Sequence, residues 1–162
     1  MLEAKIALAA QPPPSAGRPE SLPAPALVVT FKLGEQTYGL PVNVVLEIVR
    51  LPALLPLSGM APEVCGLLNL RGRYVPILAG HLLVGLPFTY DLNSQVIIGG
   101  HNEAQVGLLV DMVQDVQTLP AHQITRFQNH PAAFLAGVVD MGDNSLLLFD
   151  FKALLTLTET CL

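Results

Sequence analysis

The chain has 162 residues, of which 51% are hydrophobic and 13% charged, and its net charge is −5. Charged residues usually make up about a quarter of a globular chain, so this one can bury a large core and still leave apolar patches at its surface. Its eight Lys and Arg are scattered, which argues against a nucleic-acid binder, whose affinity comes from clustered cations.

Residues 1–26 hold six of the fourteen prolines, including Pro12-Pro13-Pro14 and Pro23-Ala24-Pro25. Such runs favour extended, solvated backbone, and the segment reads as a flexible tail with at most a transient helix over 2–10. The run Ile6–Ala10 follows Glu3 and Lys5 and is shorter than the roughly 7–15 apolar residues of a secretory signal. Farther on, Pro52, Pro56, Pro62 and Glu63 interrupt the most apolar window, Leu51–Leu70. It therefore lacks the roughly 20 unbroken residues of a spanning helix.

The folded part begins near Leu27. Val28–Leu33 and Thr37–Leu40 read as strands around Gly34-Glu35. Pro41–Val49 carries Val42, Val45, Leu46 and Val49 at the spacing of a helix face. Pro41 suits a first turn and Pro52 a stop, so a helix is expected there despite its β-branched residues. Gln95–Ile98 and Val106–Val110 read as a hairpin, as do Val138–Met141 and Leu146–Phe149 around Gly142-Asp143-Asn144. A short helix over Lys152–Leu157 precedes a C-terminal tail at 158–162. Short strands at this rhythm point to barrels or a sandwich. No repeat shows by identity, but similar strand sets before and after Leu86-Pro87 would fit two small barrels sharing one core.

Few residues suggest chemistry. His81, His101, His122 and His130 have no metal-ligand spacing and read as turn or surface histidines. Asp140, Asp143 and Asp150 cluster near the last hairpin, where accepting turn hydrogen bonds is the simpler role. Ser58 and Ser94 have no nucleophile elbow, and no glycine-rich phosphate loop is present. Cys65 and Cys161 lack CxxC spacing and read as free thiols of a reducing cytoplasm, Cys65 as a small buried hydrophobe. The reading is a non-enzyme without metal or cofactor.

The most informative stretch is Gly66–Ile77. An apolar run stops at Asn69, places a lone cation at Arg71, turns on Gly72 and resumes as a strand. An Arg beside a turn glycine is presented outward, as on a surface made for another protein to touch.

This stretch, the Val45-Leu46-Glu47-Ile48 segment, and Gly107-Leu108-Leu109-Val110-Asp111 at these spacings resemble the CheW family, over about residues 27–157. The resemblance implies a mainly β fold. It has two SH3-like β-barrel subdomains on a common hydrophobic core and one or two short helices. It also implies a cytoplasmic, non-enzymatic scaffold without cofactors. Such a scaffold links the cytoplasmic tips of methyl-accepting chemoreceptors to the regulatory domain of a CheA-type histidine kinase, in arrays at the membrane, without entering the bilayer itself. Val45 and Glu47 match positions implicated in receptor contact, and Asn69, Arg71 and Gly72 form the turn bearing the family's functional arginine. Three roles stay open for Arg71: touching a partner, pairing with Glu47 to shape a groove, or standing as a solvated cation. Leu78-Ala79-Gly80-His81 replaces the family's usual Asp-Leu-Arg segment, which removes an acid and a base. That departure, the long tail and the sparse charge would suit an adaptor of a pilus or gliding pathway. With no room after Leu157 for a receiver domain, phosphorylation of the chain is not expected. The reading of a different class is a barrel enzyme or small-ligand binder, which a deep pocket with convergent polar groups would reveal.

Overall fold

Runs of β-branched and aliphatic residues broken by glycine and Asn turns build the chain's strands. The computed structural model describes residues 26–50, 53–56 and 58–161. In order these form β1 (Ala26–Leu33), β2 (Gln36–Pro41), β3 (Val45–Arg50), β4 (Val64–Leu70), β5 (Arg73–Ala79), α1 (Gly80–Leu83), β6 (Gln95–His101), β7 (Ala104–Val110), β8 (Met112–Leu119), β9 (Ile124–Arg126), β10 (Leu135–Asp140), β11 (Ser145–Phe149) and α2 (Phe151–Cys161). Residues 1–25 of the expected tail, and Pro52, lie outside the described residues.

The order β8-β1-β2-β11-β10-β9 makes one sheet and β3-β6-β7-β5-β4 the other. The second is inserted whole between β2 and β8 of the first, so an outer barrel carries an inserted one. This corrects the division at Leu86-Pro87, because β3–β5 before it and β6–β7 after it share a sheet. The mainly β class with two short helices is as expected.

The two barrels follow one plan. A parallel pair, β2 with β11 and β5 with β7, joins two hairpins in each. The same bulge recurs: Val64 pairs with Leu78 but Gly66 with Ile77, and Leu135 pairs with Phe149 but Gly137 with Leu148. Gly66 and Gly137 each lie against an edge carbonyl, that of Leu55 or Thr125, leaving no room for a Cβ. Asn69 and Asp140 then accept from a turn amide, Gly72 at 3.0 Å and Gly142 at 2.9 Å. A short helix follows each hairpin. The repeat is one of backbone geometry, which explains its absence by identity.

The expected helix over Pro41–Val49 is instead one 3-10 turn, Val42–Val44, followed by β3. Val44, Val45, Ile48 and Val49 lose side-chain freedom in a helix and fit a pleat. A segment this short cannot hold a helix without packing, whereas β3 gains a full antiparallel ladder with β6. At the other end, α2 runs through Cys161, so most of the expected tail at 158–162 continues the helix. Phe151, Leu154, Leu155 and Thr158 are buried at helical spacing. The Asp150 carboxylate accepts from the Lys152 amide at 3.1 Å, capping the first turn.

Among the described residues, three apolar clusters form. Val28, Leu119, Val139, Leu146 and Leu148 fill the outer barrel, and Leu68, Val75, Ile77, Val96, Ile98 and Leu109 the inserted one. Between them, Phe31, Tyr38 and Phe149 pack ring to ring at 5.3–6.0 Å. Leu78, Ile97, Leu108 and α2 complete this shared core.

Asp111 sits where the chain returns from the inserted barrel to the outer one. One carboxylate oxygen lies 2.9 Å from Nε2 of His81 in α1, and the other accepts from the Gly34 amide in the β1–β2 turn at 2.7 Å. The expectation of a turn or surface His81 is therefore wrong: it is 4% exposed, placed by a partner remote in sequence. Asp111→Ala leaves the buried imidazole N–H unpaired, at a cost of about 1–3 kcal/mol. Calorimetry should show a thermal midpoint several degrees lower.

Candidate partner-binding site

The β4–β5 turn is set by its backbone. Leu70 pairs with Arg73, leaving two residues in the loop, and both have positive φ, 52° at Arg71 and 87° at Gly72. That is the twist a two-residue hairpin needs. Glycine accepts it freely, but Arg71 does so against its Cβ. The Asn69 side chain braces the turn through the Gly72 amide, and Arg71 is aimed across the barrel.

Its guanidinium reaches Glu47 in a two-pronged ion pair, Nη1 to Oε2 at 2.6 Å and Nη2 to Oε1 at 3.2 Å. Glu47 belongs to β3 and Arg71 to the turn after β4, and these strands stand at opposite ends of the inserted sheet. The pair therefore spans the seam where that sheet closes on itself. Along the same seam, Leu55 exchanges backbone hydrogen bonds with Leu67 at 2.8 and 2.9 Å. The Arg71 side chain is 74% exposed and that of Glu47 28%, so solvent screens most of the attraction. What remains is direction, since a planar fork on a carboxylate fixes both side chains. Of the three roles open for Arg71, the geometry shows the pairing.

The remaining expected residues lie close by. Val45 is half-buried and packs against the shared core, while Asn69 is exposed on β4. Leu46 and Ile48, 54% and 38% exposed, share the outward face of β3 with Arg50. Sequence reasoning missed these two as surface residues, because a helical period assigns Leu46 to a core face. The alternation of β3, helped by a bulge between Val45 and Glu47, turns them to solvent instead. The signal available was the β-branched content of the segment.

Elsewhere the titratable groups have local duties. Asp140 and Asp150 accept turn and cap amides. His101 and His122 are exposed, and His130 stacks on Phe127 at 4.5 Å. Among the described residues, no three His, Cys, Asp or Glu groups gather to hold a metal. Nor is any helix there long and apolar enough to cross a membrane. Cys65 lies at the edge of the inserted barrel's core, and burial pushes its thiol up to about 11.

Two interleaved barrels with an apolar outward strand beside an ion-paired turn define a docking module. A family model described as a CheW-like domain matches residues 27–159. The chain is 31% identical over 137 residues to the chemotaxis protein CheW of Klebsiella aerogenes, covering 82% of each. It is 28% identical over 145 residues to that of Treponema pallidum, covering 82% of this chain and 83% of the relative. The crystal structure of the scaffolding protein TtCheW from Thermoanaerobacter tengcongensis superposes with a TM-score of 0.71 at 25% identity, covering 78% of this chain and 89% of that one. The chain belongs to the CheW family and is a chemotaxis adaptor.

The Arg71 hydrogen bond, more than its charge alone, holds the Glu47 carboxyl below the usual carboxylate range. A depressed folded value means the pair contributes stability above the unfolded pKa of about 4.3, and that contribution is lost as pH falls through the folded value. A carboxyl-detected NMR titration should show Glu47 with a low midpoint that rises in Arg71→Ala. For Cys65, a thiol titrating near 11 is almost wholly protonated at pH 8. Iodoacetamide should label it in a Cys161→Ser protein far more slowly than it labels a free cysteine.

Proposed function

We propose that this adaptor works in the cytoplasm as a non-catalytic scaffold, linking the cytoplasmic tips of methyl-accepting chemoreceptors to the regulatory domain of a CheA-type histidine kinase. The observation that carries this reading is the Glu47–Arg71 fork beside the outward Leu46 and Ile48 on β3. A receptor tip is a helical hairpin, and a helix docks through a few apolar anchors with a few oriented charges beside them. On this reading Arg71 serves twice, locking Glu47 in place and offering its exposed outer N–H groups to the receptor. Val45 anchors β3 on the shared core, while Asn69 and Gly72 keep the turn in the conformation that aims Arg71.

Contacts of this kind are micromolar, roughly −8 kcal/mol each. Assembly into an array then raises the effective affinity by multivalency. A scaffold of this type needs no reactive centre, and the capping and turn-forming duties of the acids fit that.

Binding of the purified chain to a receptor cytoplasmic fragment and to a kinase regulatory domain, by calorimetry, tests the proposal. Arg71→Ala should weaken receptor binding about tenfold, a loss of one charged hydrogen-bonding partner, with a nearly unchanged thermal midpoint. Ile48→Asp should do the same while sparing the fold. A large drop in midpoint with unaltered affinity would reassign Arg71 to structure alone. Failure of the wild-type chain to bind either partner would overturn the coupling function.

A further inference from the structure

A cavity of about 350 Å³ opens beside the inserted barrel and shares no lining residue with the Glu47–Arg71 fork. Its walls are Leu54 and Pro56 from the segment after β3, Phe88 and Tyr90 from the loop before β6, and Cys65 from β4. The Phe88 and Tyr90 rings pack at 5.4 Å, and Tyr90 is 61% exposed. The only polar side-chain groups among its lining residues are a phenol and a thiol held protonated by burial. A polar metabolite would find no charge to hold it there. An apolar, pre-extended peptide would, because proline-rich chain docks on aromatic-lined grooves with little conformational entropy left to lose.

The chain carries a segment of that composition. Residues 12–25 hold six prolines and Leu22, with Arg18 in their midst, and Asp91, which follows Tyr90 in the chain, is exposed. We infer that the proline-rich segment 12–25 of the same chain docks in this aromatic-lined cavity. Reach does not limit it. The segment joins β1 at Ala26, and extended proline-rich chain advances about 3.1 Å per residue. Twelve residues therefore span roughly 37 Å, about the diameter of a folded unit of this size with a radius of gyration near 14 Å. Tethering also supplies an effective concentration on the order of millimolar, enough to hold a contact too weak to persist between separate molecules at micromolar concentration. This goes beyond the coupling function and does not rest on it, since cavity and fork are separate features.

Cys65 in the cavity wall is the reporter. In the full chain with Cys161→Ser, the labelling rate of Cys65 at pH 9 is compared with that of a variant also carrying serine at Pro12, Pro13, Pro14, Pro19, Pro23 and Pro25. A docked segment covers the thiol, so the serine variant should label about tenfold faster. That factor follows from a millimolar effective concentration acting on a dissociation constant near 0.1 mM. A synthetic peptide of residues 10–25, added in excess to the serine variant, should restore the slow rate, and Tyr90→Ala in the starting chain should abolish the protection. Equal rates in the two chains would overturn the inference. So would protection that depends on protein concentration, which would indicate a second copy, or protection that appears only on adding a kinase regulatory domain.

Discussion

Three strands of the inserted barrel are buried on both faces along most of their length, and the architecture follows from that. Along residues 75–79 of β5, 96–99 of β6 and 106–110 of β7, neighbouring residues point to opposite sides and are buried on both. Ile77, Val96, Ile98 and Leu109 turn into the barrel, while Leu78, Ile97 and Leu108 turn towards the outer one. A sheet buried on both faces must be covered twice. Here one cover is the barrel's own far wall, and the other is Phe31, Tyr38, Phe149 and α2. Neither barrel can shed the other without exposing a full layer of aliphatic and aromatic surface, at about 25 cal/mol per Å². The two subdomains are thus one cooperative body. Asp111, gripping α1 on one side and the β1–β2 turn on the other, sets their mutual orientation at the point where the chain crosses.

That rigidity matters to an adaptor. A surface on one barrel can be coupled to a surface on the other only if the barrels do not swing independently. The Glu47–Arg71 fork extends the same logic outward. It contributes little energy where solvent screens it, but it closes the seam between the two free strands of the inserted sheet. Thus it decides where the outward residues of β3 stand.

Much of this was legible from residue patterns, and the exceptions have physical causes. Both hairpins announced themselves because Asn102-Glu103 and Gly142-Asp143-Asn144 break apolar runs at turns that Asn102 and Gly142 enter with positive φ. β3 was not legible as a strand because residues four apart share a face in a helix and in a strand alike. Val45 and Val49 fit both periods, and pairing with β6 settled the matter. α1 has four residues, too few for any period to show. The burial of His81 depends on Asp111, distant in the chain, and no local pattern encodes it. The likeness of the barrels resides in a bulge, a glycine against a carbonyl and a turn acceptor, which only Gly66 and Gly137 keep as identical residues. At the candidate site, Arg71 and Gly72 stood out because a cation beside a turn glycine is unusual. Leu46 and Ile48 were hidden by the misread helix.

The insertion of one barrel into the other also bears on how the molecule is born. As the polypeptide leaves the ribosome, β1 and β2 emerge first, and an isolated hairpin of two strands is barely stable in water. The strands of the inserted barrel then follow and can pair while the outer one still lacks β8, β9, β10 and β11, but their outward layer stays uncovered until Phe149 and α2 arrive. The oldest hairpin must wait with both its edges unsatisfied until the youngest strands arrive to flank it. What is synthesised first is therefore sealed last, and the interval between is when the nascent chain is most open to misassembly.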